Sequence, residues 1–276
     1  HCRRNVVGDK GEIRKVCVMF NPYRRPTVAV VGAGIAGCTA AAECAFSGFD
    51  TTLFDRQKYI GGHLTSPDAA NVSRRQHYRT PYLKLTKTDG TPRSVIAHLE
   101  AAVEKSGATF HGSSEVTGAA WDAGEGQWAV TYSVDGEEHT EHFDVLIRAT
   151  GEPSPWIAVP GRENISADEL YLHNGVDVVG LPNALFVDHP TPDPKFDEKS
   201  WAVFEARGDY ARRYVRQLEI RGPGAMTVKR DKWRVQPGTV RGLKGELVEF
   251  DTDAHEFTRA ANHRPQTRRT APSVAG

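Results

Sequence analysis

The chain has 276 residues, of which 39% are hydrophobic and 25% are charged, and its 35 basic and 35 acidic residues give a formal net charge of zero at pH 7. A balanced charge argues against a dedicated nucleic-acid or membrane-surface protein, because those partners select for a strongly basic face. No apolar run approaches the ~20 residues that a membrane-spanning helix needs. We therefore expect neither nucleic acid nor a membrane among its partners.

Residues 1–26 mix charged residues with prolines and contain one short apolar run, from Val16 to Phe20. We predict that they form an arm or an edge element outside the main fold. The chain begins at His1, which leaves processing of the N-terminus open.

A glycine-rich turn between a predicted strand and a predicted helix is the strongest signal in the chain. The apolar run from Val28 to Val31 enters this turn, and an Ala-rich segment up to Phe46 leaves it. The turn consists of Gly32, Ala33, Gly34, Ile35, Ala36 and Gly37. This order of strand, turn and helix is what a dinucleotide-binding βαβ unit requires. Gly32 permits the tight turn, Gly34 lets a pyrophosphate approach the backbone, and Gly37 lets helix and strand pack closely.

An acidic residue follows the second predicted strand. Residues 51–54 are typical of that strand, and Asp55 at its end is placed to accept hydrogen bonds from a ribose 2′-hydroxyl. A 2′-phosphate would be repelled by the same carboxylate. Because strand, glycine turn, helix, second strand and acid coincide, we predict a bound dinucleotide.

The segment from Asp55 to the glycine pair Gly61-Gly62 resembles the acid-to-glycine-pair segment of two-dinucleotide-binding flavoproteins. In those proteins the Gly-Gly backbone passes close to the cofactor, so the resemblance implies FAD rather than NAD. It places Arg56, Gly61 and Gly62 beside the cofactor, together with His63, which directly follows the glycine pair. Residues 63–93 lack clear periodicity and fit a loop-rich insertion over the cofactor.

A predicted β-hairpin separates this unit from a second motif. Residues 128–134 alternate between apolar and polar positions and, with residues 139–143, flank an Asp-Gly turn. The chain then enters a predicted strand that ends in Ala149-Thr150-Gly151, which looks like the ATG motif beside the cofactor in the same flavoproteins. Residues 108–116 resemble the strand that places a valine backbone, here Val116, against the adenine.

Within those flavoproteins, the chain most resembles the flavin-containing monooxygenases and the Baeyer-Villiger monooxygenases. Residues 78–88 look like the family's Tyr-x-x-Leu-x-Thr-Asn segment near the flavin, and residues 91–100 look like the helix start after it. Residues 180–187 and a predicted helix at 201–220 look like its closing Pro-Asn strand and flavin-end helix. Asp188 follows that strand directly, which puts it in the implied cofactor site. The resemblance implies an α/β, Rossmann-like FAD-binding domain, with a parallel sheet and an antiparallel β-meander crossover.

Three departures separate the chain from that family's pattern. After Gly151 there is no second turn of the type Gly-x-Gly-x-x-Gly, so we predict that the NADPH-binding domain is missing and that NADPH, if used, has no dedicated domain. The family's Trp after the glycine pair is replaced by His63-Leu64, and its oxygen-activating Asn falls near Lys87 or Thr88. The catalytic residues are therefore unassigned.

His63 and Lys87 are the candidate catalytic residues. His63 could hydrogen-bond the flavin or carry a proton near neutral pH. Lys87 could stabilise negative charge that develops at the flavin edge. Both residues are also compatible with plain surface positions.

The cysteines and the acidic side chains near Asp188 predict neither a disulfide nor a metal site. The cysteines, which show no CxxC pair and no zinc spacing, are Cys2, Cys17, Cys38 and Cys44. We predict reduced thiols in a cytoplasmic protein, because a Rossmann-like core of this size needs no disulfide. Prolines interrupt the cluster of potential metal ligands, which are Asp188, His189, Asp193 and Asp197.

These signals predict one FAD-binding domain at residues 27–251 and a polar C-terminal tail at residues 252–276. The predicted function is that of a monooxygenase-like, FAD-dependent oxidoreductase. It would act on a small organic substrate with electrons from an external or non-dedicated donor, such as a separate reductase. The alternative is an FAD-binding protein with a non-redox role, either a structural flavin or a redox-neutral cyclisation. A single-domain NAD reductase is disfavoured, because the glycine pair and the ATG-like motif would have no role in it.

Overall fold

The fold is built from fifteen strands and three α-helices within the residues that the computed structural model describes. The described residues are 4–7, 13–16, 24–71, 89–151, 157–158, 172–173, 176–178, 181–188, 201–221, 224–228 and 267–270. The strands are β1 (Arg4–Val7), β2 (Ile13–Val16), β3 (Thr27–Val31), β4 (Asp50–Phe54), β5 (Thr109–His111), β6 (Ser114–Asp122), β7 (Gln127–Val134), β8 (Glu137–Phe143), β9 (Val145–Arg148), β10 (Ile157–Ala158), β11 (Leu172–His173), β12 (Asp177–Val178), β13 (Ala184–Phe186), β14 (Ala225–Val228) and β15 (Thr267–Thr270). The helices are α1 (Ile35–Phe46), α2 (Pro92–Ser106) and α3 (Trp201–Arg221), with a short 3-10 helix at Gly62–Thr65.

Some sequence predictions fall on residues outside these ranges. They are the predictions on Cys2, Cys17, residues 78–88 with Lys87 and Thr88, His189, Asp193, Asp197 and most of residues 252–276.

A seven-stranded sheet with the order β11-β12-β13-β9-β3-β4-β5 forms the centre of the fold. The strands from β13 to β5 run parallel, and β12 and β11 add an antiparallel edge. Numbered by their place in the chain, the parallel strands follow the order 3-2-1-4-5 from the β5 edge, which is that of a doubly wound α/β sheet. The predicted Rossmann-like α/β class is confirmed.

An antiparallel meander of β6, β7 and β8 connects β5 to β9, with β10 added at its edge. The predicted hairpin is confirmed as β7 and β8, and the predicted meander crossover with it. The single strand predicted over residues 108–116 is wrong, because a turn at Gly112 and Ser113 divides it into β5 and β6. A side chain at residue 112 would place its Cβ 2.5 Å from the carbonyl oxygen of Lys58, so this turn needs glycine.

Helix α1 is buried along almost its whole length, because it contacts the parallel sheet and both of the other α-helices. Its alanines, glycine and cysteines are small enough to permit contacts on all sides. Gly208 of α3 allows a close approach, since a Cβ there would lie 3.1 Å from Cγ2 of Thr39 in α1. No helix within the described ranges is long and apolar enough to cross a bilayer.

The meander covers the opposite face of the parallel sheet with aromatic side chains. Trp121 and Trp128 are buried and meet edge to face, with 5.5 Å between their ring centroids. The indole Nε1 of Trp128 donates a hydrogen bond of 2.9 Å to the carbonyl oxygen of Pro182. The central strands β3, β9 and β13 are therefore buried on both faces, which explains their largely apolar sequences.

Asp144, directly before β9, is a buried polar residue that connects three strands. Its carboxylate accepts hydrogen bonds from the backbone nitrogen of Thr27 at 2.8 Å, from Nε2 of Gln127 at 3.1 Å and from Nη2 of Arg24 at 2.5 Å. One carboxylate thus connects the beginnings of β3, β7 and β9. These charge-assisted bonds are stronger than neutral ones, so they fix the relative register of the three strands.

Asn183, directly before β13, is a second buried polar residue of this kind. Its Nδ2 donates to the carbonyl oxygens of Asp144 at 2.8 Å and Gly224 at 3.1 Å, and its Oδ1 accepts from the backbone nitrogen of Met226 at 2.7 Å. The residue has a φ of 50°, a conformation that asparagine tolerates better than most other residues. The Pro-Asn segment seen in the sequence therefore has a structural reason.

Both ends of the chain contribute a strand pair. Within the predicted arm, β1 pairs antiparallel with β2. In the predicted tail, Thr267–Thr270 forms β15 despite its polar composition, and this strand pairs antiparallel with β14 of the predicted domain.

Candidate cofactor site

Four parallel strands end in one row at the same edge of the sheet. Val31 of β3 pairs with Phe54 of β4 on one side and with Arg148 of β9 on the other, and Arg148 pairs with Phe186 of β13. Residues that follow these strand ends line a cavity of about 570 Å³. Ligand pockets commonly measure roughly 300–1,000 Å³, and ligands of open α/β sheets bind at the carboxyl ends of the strands.

The cavity brings together most of the residues that the sequence predicts for the cofactor site. Those that line it are Gly32, Gly34, Ile35, Ala36, Asp55, Arg56, Gly62, His63, Val116, Ala149, Thr150, Gly151 and Asp188. Sequence reasoning missed four lining residues, which are Val31, Gln57, Glu115 and Phe204. Three of these adjoin a predicted residue in the chain, and Phe204 lies in the predicted flavin-end helix, so adjacency to those features is the signal that could have found them.

Gly37 and Gly61 are not among the described residues that line the cavity. A Cβ at residue 37 would lie 1.7 Å from the carbonyl oxygen of Gly32, so this glycine allows α1 to pack against the turn, as predicted. Gly61 has a φ of 141°, and its backbone nitrogen donates to the carbonyl oxygen of Ala33 at 2.9 Å. Both glycines therefore support the backbone of the glycine turn without lining the cavity themselves.

The protein's own atoms exclude a side chain at Gly32, whereas they leave room for one at Gly34. Gly32 has a φ of 107°, and a Cβ there would lie 2.3 Å from the carbonyl oxygen of Ala149. Gly34 caps α1 with φ −78° and ψ −172°, and a Cβ there would meet no atom within 4 Å. The open space at Gly34 adjoins the N-terminus of α1, where backbone amides and the helix dipole favour a phosphate. This geometry fits the predicted approach of a pyrophosphate.

Asp55 connects the glycine turn after β3 to the segment that follows β4. Its Oδ2 accepts from the backbone nitrogen of Ala33 at 2.5 Å, and its Oδ1 accepts from the backbone nitrogen of Gln57 at 2.7 Å. Each carboxylate oxygen has two lone pairs, so each keeps one for a further donor. Asp55 therefore braces the glycine turn and retains acceptors for a hydroxyl in the cavity.

The candidate catalytic residues have different positions relative to this cavity. His63 lies in the 3-10 helix, is largely exposed and lines the cavity. Lys87 lies outside the described residues, so its predicted role at the flavin edge stays a prediction.

Asp188 lies on the wall opposite Asp55 and is held by charged and backbone groups. One oxygen accepts from the backbone nitrogen of Gly151, and the other lies 3.3 Å from Nη2 of Arg148. Nη1 of Arg207 donates to the carbonyl oxygen of Val187 at 2.9 Å. Burial lowers the pKa of Arg207 to about 10, and the nearby charge of Asp188 opposes that shift.

Neither arginine is predicted from the sequence as a site residue. Arg148 ends an otherwise apolar strand, and Arg207 lies in the middle of α3, yet both are almost completely buried. A charged residue in an apolar strand is the signal that could have singled out Arg148, since such a position is costly without a partner.

The two described cysteines supply no redox disulfide. Cys38 and Cys44 are buried, free thiols in α1, and burial raises the pKa of both well above its ordinary value. Six residues along a helix rise about 9 Å, whereas bridged Cα atoms lie within about 7 Å of each other. Among the described residues, no three His, Cys, Asp or Glu side chains gather in a way that could hold a metal ion.

A doubly wound sheet with a glycine turn, a helix N-terminus and two carboxylates around one cavity defines a dinucleotide-binding α/β domain. Residues 26–185 match the family model of the pyridine nucleotide-disulphide oxidoreductases, and the chain therefore belongs to that family. Membership in this family supports flavin binding and an oxidoreductase activity. No curated protein matches the chain.

Three solved structures are among those to which the chain is similar. S-allyl-L-cysteine S-oxygenase from Allium sativum is 16% identical with a TM-score of 0.48, over 70% of this chain and 77% of that chain. Cyclohexanone monooxygenase is 22% identical with a TM-score of 0.38, over 47% of this chain and 27% of that chain. A thioredoxin reductase from Gloeobacter violaceus is 21% identical with a TM-score of 0.35, over 47% of this chain and 38% of that chain. The chain thus corresponds to only part of the last two proteins.

Proposed function

We propose that the chain binds FAD in this cavity and acts as a monooxygenase-like, FAD-dependent oxidoreductase on a small organic substrate. One observation carries the proposal. Asp55 and Asp188 follow β4 and β13, and the glycine turn follows a strand between them, so two carboxylates flank a phosphate site. Family membership supports the oxidoreductase part of the proposal.

The spacing of the two carboxylates suits a dinucleotide. β4 and β13 are separated by β3 and β9, and neighbouring strands lie about 4.8 Å apart, so the two strand ends are about 14 Å apart. FAD carries hydroxyl groups at both ends of its pyrophosphate, on the ribose and on the ribityl chain. The arrangement therefore offers an acceptor for each set of hydroxyls, with the N-terminus of α1 between them for the phosphates.

FAD supplies the redox chemistry when bound. The chain's own residues bind and orient it. The amides at the start of α1 would hold the phosphates. Asp55 would accept from the ribose with the lone pairs that are not already used by the backbone nitrogens of Ala33 and Gln57. We propose His63, which lines the cavity, as the candidate for carrying a proton there. Lys87 is the candidate for stabilising negative charge at the flavin edge.

The electron donor in this proposal is external. The sequence contains one Gly-x-Gly-x-x-Gly turn, at Gly32–Gly37, and the carboxylate beside it disfavours the 2′-phosphate of NADPH. We therefore propose that electrons come from a separate reductase or from NAD(P)H bound without a dedicated domain. We further propose residues 27–251 as one FAD-binding domain and the cytoplasm as its location.

An absorbance spectrum of the purified protein, followed by anaerobic addition of NADH or NADPH, tests this function. We expect flavin bands that are stable to gel filtration. Bleaching on addition of the nucleotide identifies NAD(P)H as a donor, and bleaching only with a flavin reductase and its donor identifies the external route. A protein that neither retains FAD nor binds it when FAD is added contradicts the proposal.

The single glycine turn also favours one alternative, a flavin protein with a non-redox role. In that case the bound FAD is structural or serves a redox-neutral step such as a cyclisation. Flavin bands that persist with NADH, with NADPH and with a separate reductase would support this alternative over the oxidoreductase.

A further inference from the structure

We infer that Arg148 is a positioning residue for the cofactor. It holds the carboxylate of Asp188 against the cavity wall in the orientation that accepts a hydrogen bond from a hydroxyl of the cofactor's sugar-alcohol chain. This inference rests on the proposed function, because it requires a dinucleotide in the cavity.

The first argument is the place of Arg148 in the sheet. Its Cα lies in the row of strand ends, between Val31 and Phe186, and only 5% of the residue is exposed. Val31 and Phe186 belong to the apolar cluster between the parallel sheet and the meander. A guanidinium in such a row is costly to bury unless it is paired.

The second argument is that neighbouring groups fix both the guanidinium of Arg148 and the carboxylate of Asp188. The guanidinium carbon lies 4.0 Å from the centroid of the Phe186 ring, a contact that fixes the plane of the guanidinium. Its Nη2 then reaches one oxygen of Asp188 at 3.3 Å, while the backbone nitrogen of Gly151 holds the other oxygen. Both oxygens are thereby held from the strand side. Their remaining lone pairs are left for donors in the cavity that Asp188 lines.

The third argument is that Arg148 supplies the orientation of the Asp188 carboxylate but is not the sole source of positive charge near it. Asp188 also interacts electrostatically with Arg207. Removal of Arg148 therefore leaves a positive charge near the carboxylate, and it removes the group that fixes the direction of that carboxylate. For the same reason we expect variants at residue 148 to fold.

The test is a double-mutant cycle on the dissociation constant of FAD, measured by quenching of flavin fluorescence. The variants are Arg148→Met, which keeps most of the apolar stem, Asp188→Asn, and the two combined. A hydrogen bond to a charged group corresponds to about tenfold in affinity, so we expect each single variant to weaken binding by about tenfold. The double variant should bind no more weakly than Asp188→Asn, because Arg148 acts through Asp188.

Two further variants exclude a merely structural effect. Arg148→Lys should recover part of the lost affinity, since an ammonium can still donate to Asp188. Arg24→Met removes another arginine that pairs with an aspartate, Asp144, at 2.5 Å, but Asp144, unlike Asp188, does not line the cavity. It should leave the dissociation constant unchanged.

The outcomes distinguish this inference from the proposed function. If the unaltered chain binds no FAD, the proposed function fails, and the inference fails with it. If the unaltered chain binds FAD but Arg148→Met binds it equally well, the inference alone fails. Single effects that multiply in the double variant also overturn it, because Arg148 would then act independently of Asp188.

Discussion

The two walls of the cavity are built by different means. The wall at Asp55 is held by short backbone hydrogen bonds, and Asp55 lies 22 positions from Ala33, whose nitrogen it accepts. The wall at Asp188 is held by Arg148 and Gly151, which lie 40 and 37 positions away in the sequence. The first wall is a local motif that a sequence can display, whereas the second exists only after distant strands have paired.

The largest effect that we expect comes from a pair of glycines in the first wall. Gly37→Ala places a Cβ 1.7 Å from a backbone oxygen of Gly32, so the chain should fail to fold or lose about 4 kcal/mol or more of stability. Gly34→Ala meets no atom within 4 Å, so it should cost no more than about 1 kcal/mol as a helix-cap change. It should nevertheless weaken FAD binding at least tenfold, because the methyl group occupies the phosphate site.

Denaturant unfolding without cofactor and FAD titration measure the two effects separately. Equal losses of stability in both alanine variants would show that Gly34 is a packing residue like Gly37. The open space at Gly34 would then no longer be evidence for a ligand site in the first wall.

The second expected effect concerns the support of the other wall. Asn183→Ala removes three side-chain hydrogen bonds that hold the start of β13, the strand before Asp188. Buried groups left without partners cost about 1–3 kcal/mol each, so we expect a loss of about 3 kcal/mol in the free energy of unfolding. Asn183→Asp keeps the acceptor for Met226 but buries a carboxylate against the carbonyl oxygens of Asp144 and Gly224, so it should lose at least as much. An unchanged unfolding midpoint for Asn183→Ala would show that long-range polar contacts do not support this wall.

The third expected effect reaches the size of the second only near pH 7, disappears at low pH and concerns α1. Burial raises the pKa of Glu43 from its ordinary 4.5 to about 7, against the opposing charge of Arg212, whose Nε lies 3.6 Å from the carboxylate. The unfolded chain ionises near pH 4.5 while the folded chain keeps the proton up to about pH 7, so stability should fall as pH rises through this window. The loss is of the order of 3 kcal/mol.

Glu43→Gln has no such ionisation, so its stability relative to the unaltered chain should rise between pH 4.5 and pH 7. Urea unfolding across that range measures the difference. Glu104→Gln, an exposed glutamate of α2, controls for the loss of one charge. Parallel pH profiles for the unaltered chain and Glu43→Gln would contradict the expectation.

The sequence was sufficient for the parts of the site that depend on neighbouring residues. Gly32 and Gly34 are recognisable because the strand, turn and helix around them are contiguous. Ala149-Thr150-Gly151 were predicted because a strand and the turn that ends it resemble the ATG motif of flavoproteins. Asp188 was predicted because it follows a strand that resembles their closing Pro-Asn strand, and the structure brings it to the same cavity as these residues.

The sequence was insufficient where a residue's role depends on a partner far along the chain. Arg148 looks like an irregularity in an apolar strand until the register sets it against Phe186. The break between β5 and β6 depends on the carbonyl oxygen of Lys58, which no local pattern at Gly112 reveals. Gly61 resembled a cofactor contact, although its bond to Ala33 places it behind the cavity wall.

The position of β3 in the sheet has a consequence for synthesis of the chain. β3 pairs with β4, which follows it closely, but its other edge must wait for β9, and Thr27 and Asp144 are 117 positions apart. Contacts of such long range form slowly. Until the meander and β9 have left the ribosome, an apolar strand edge is open to association with other chains. The chain is therefore most prone to aggregation during the synthesis of its first half.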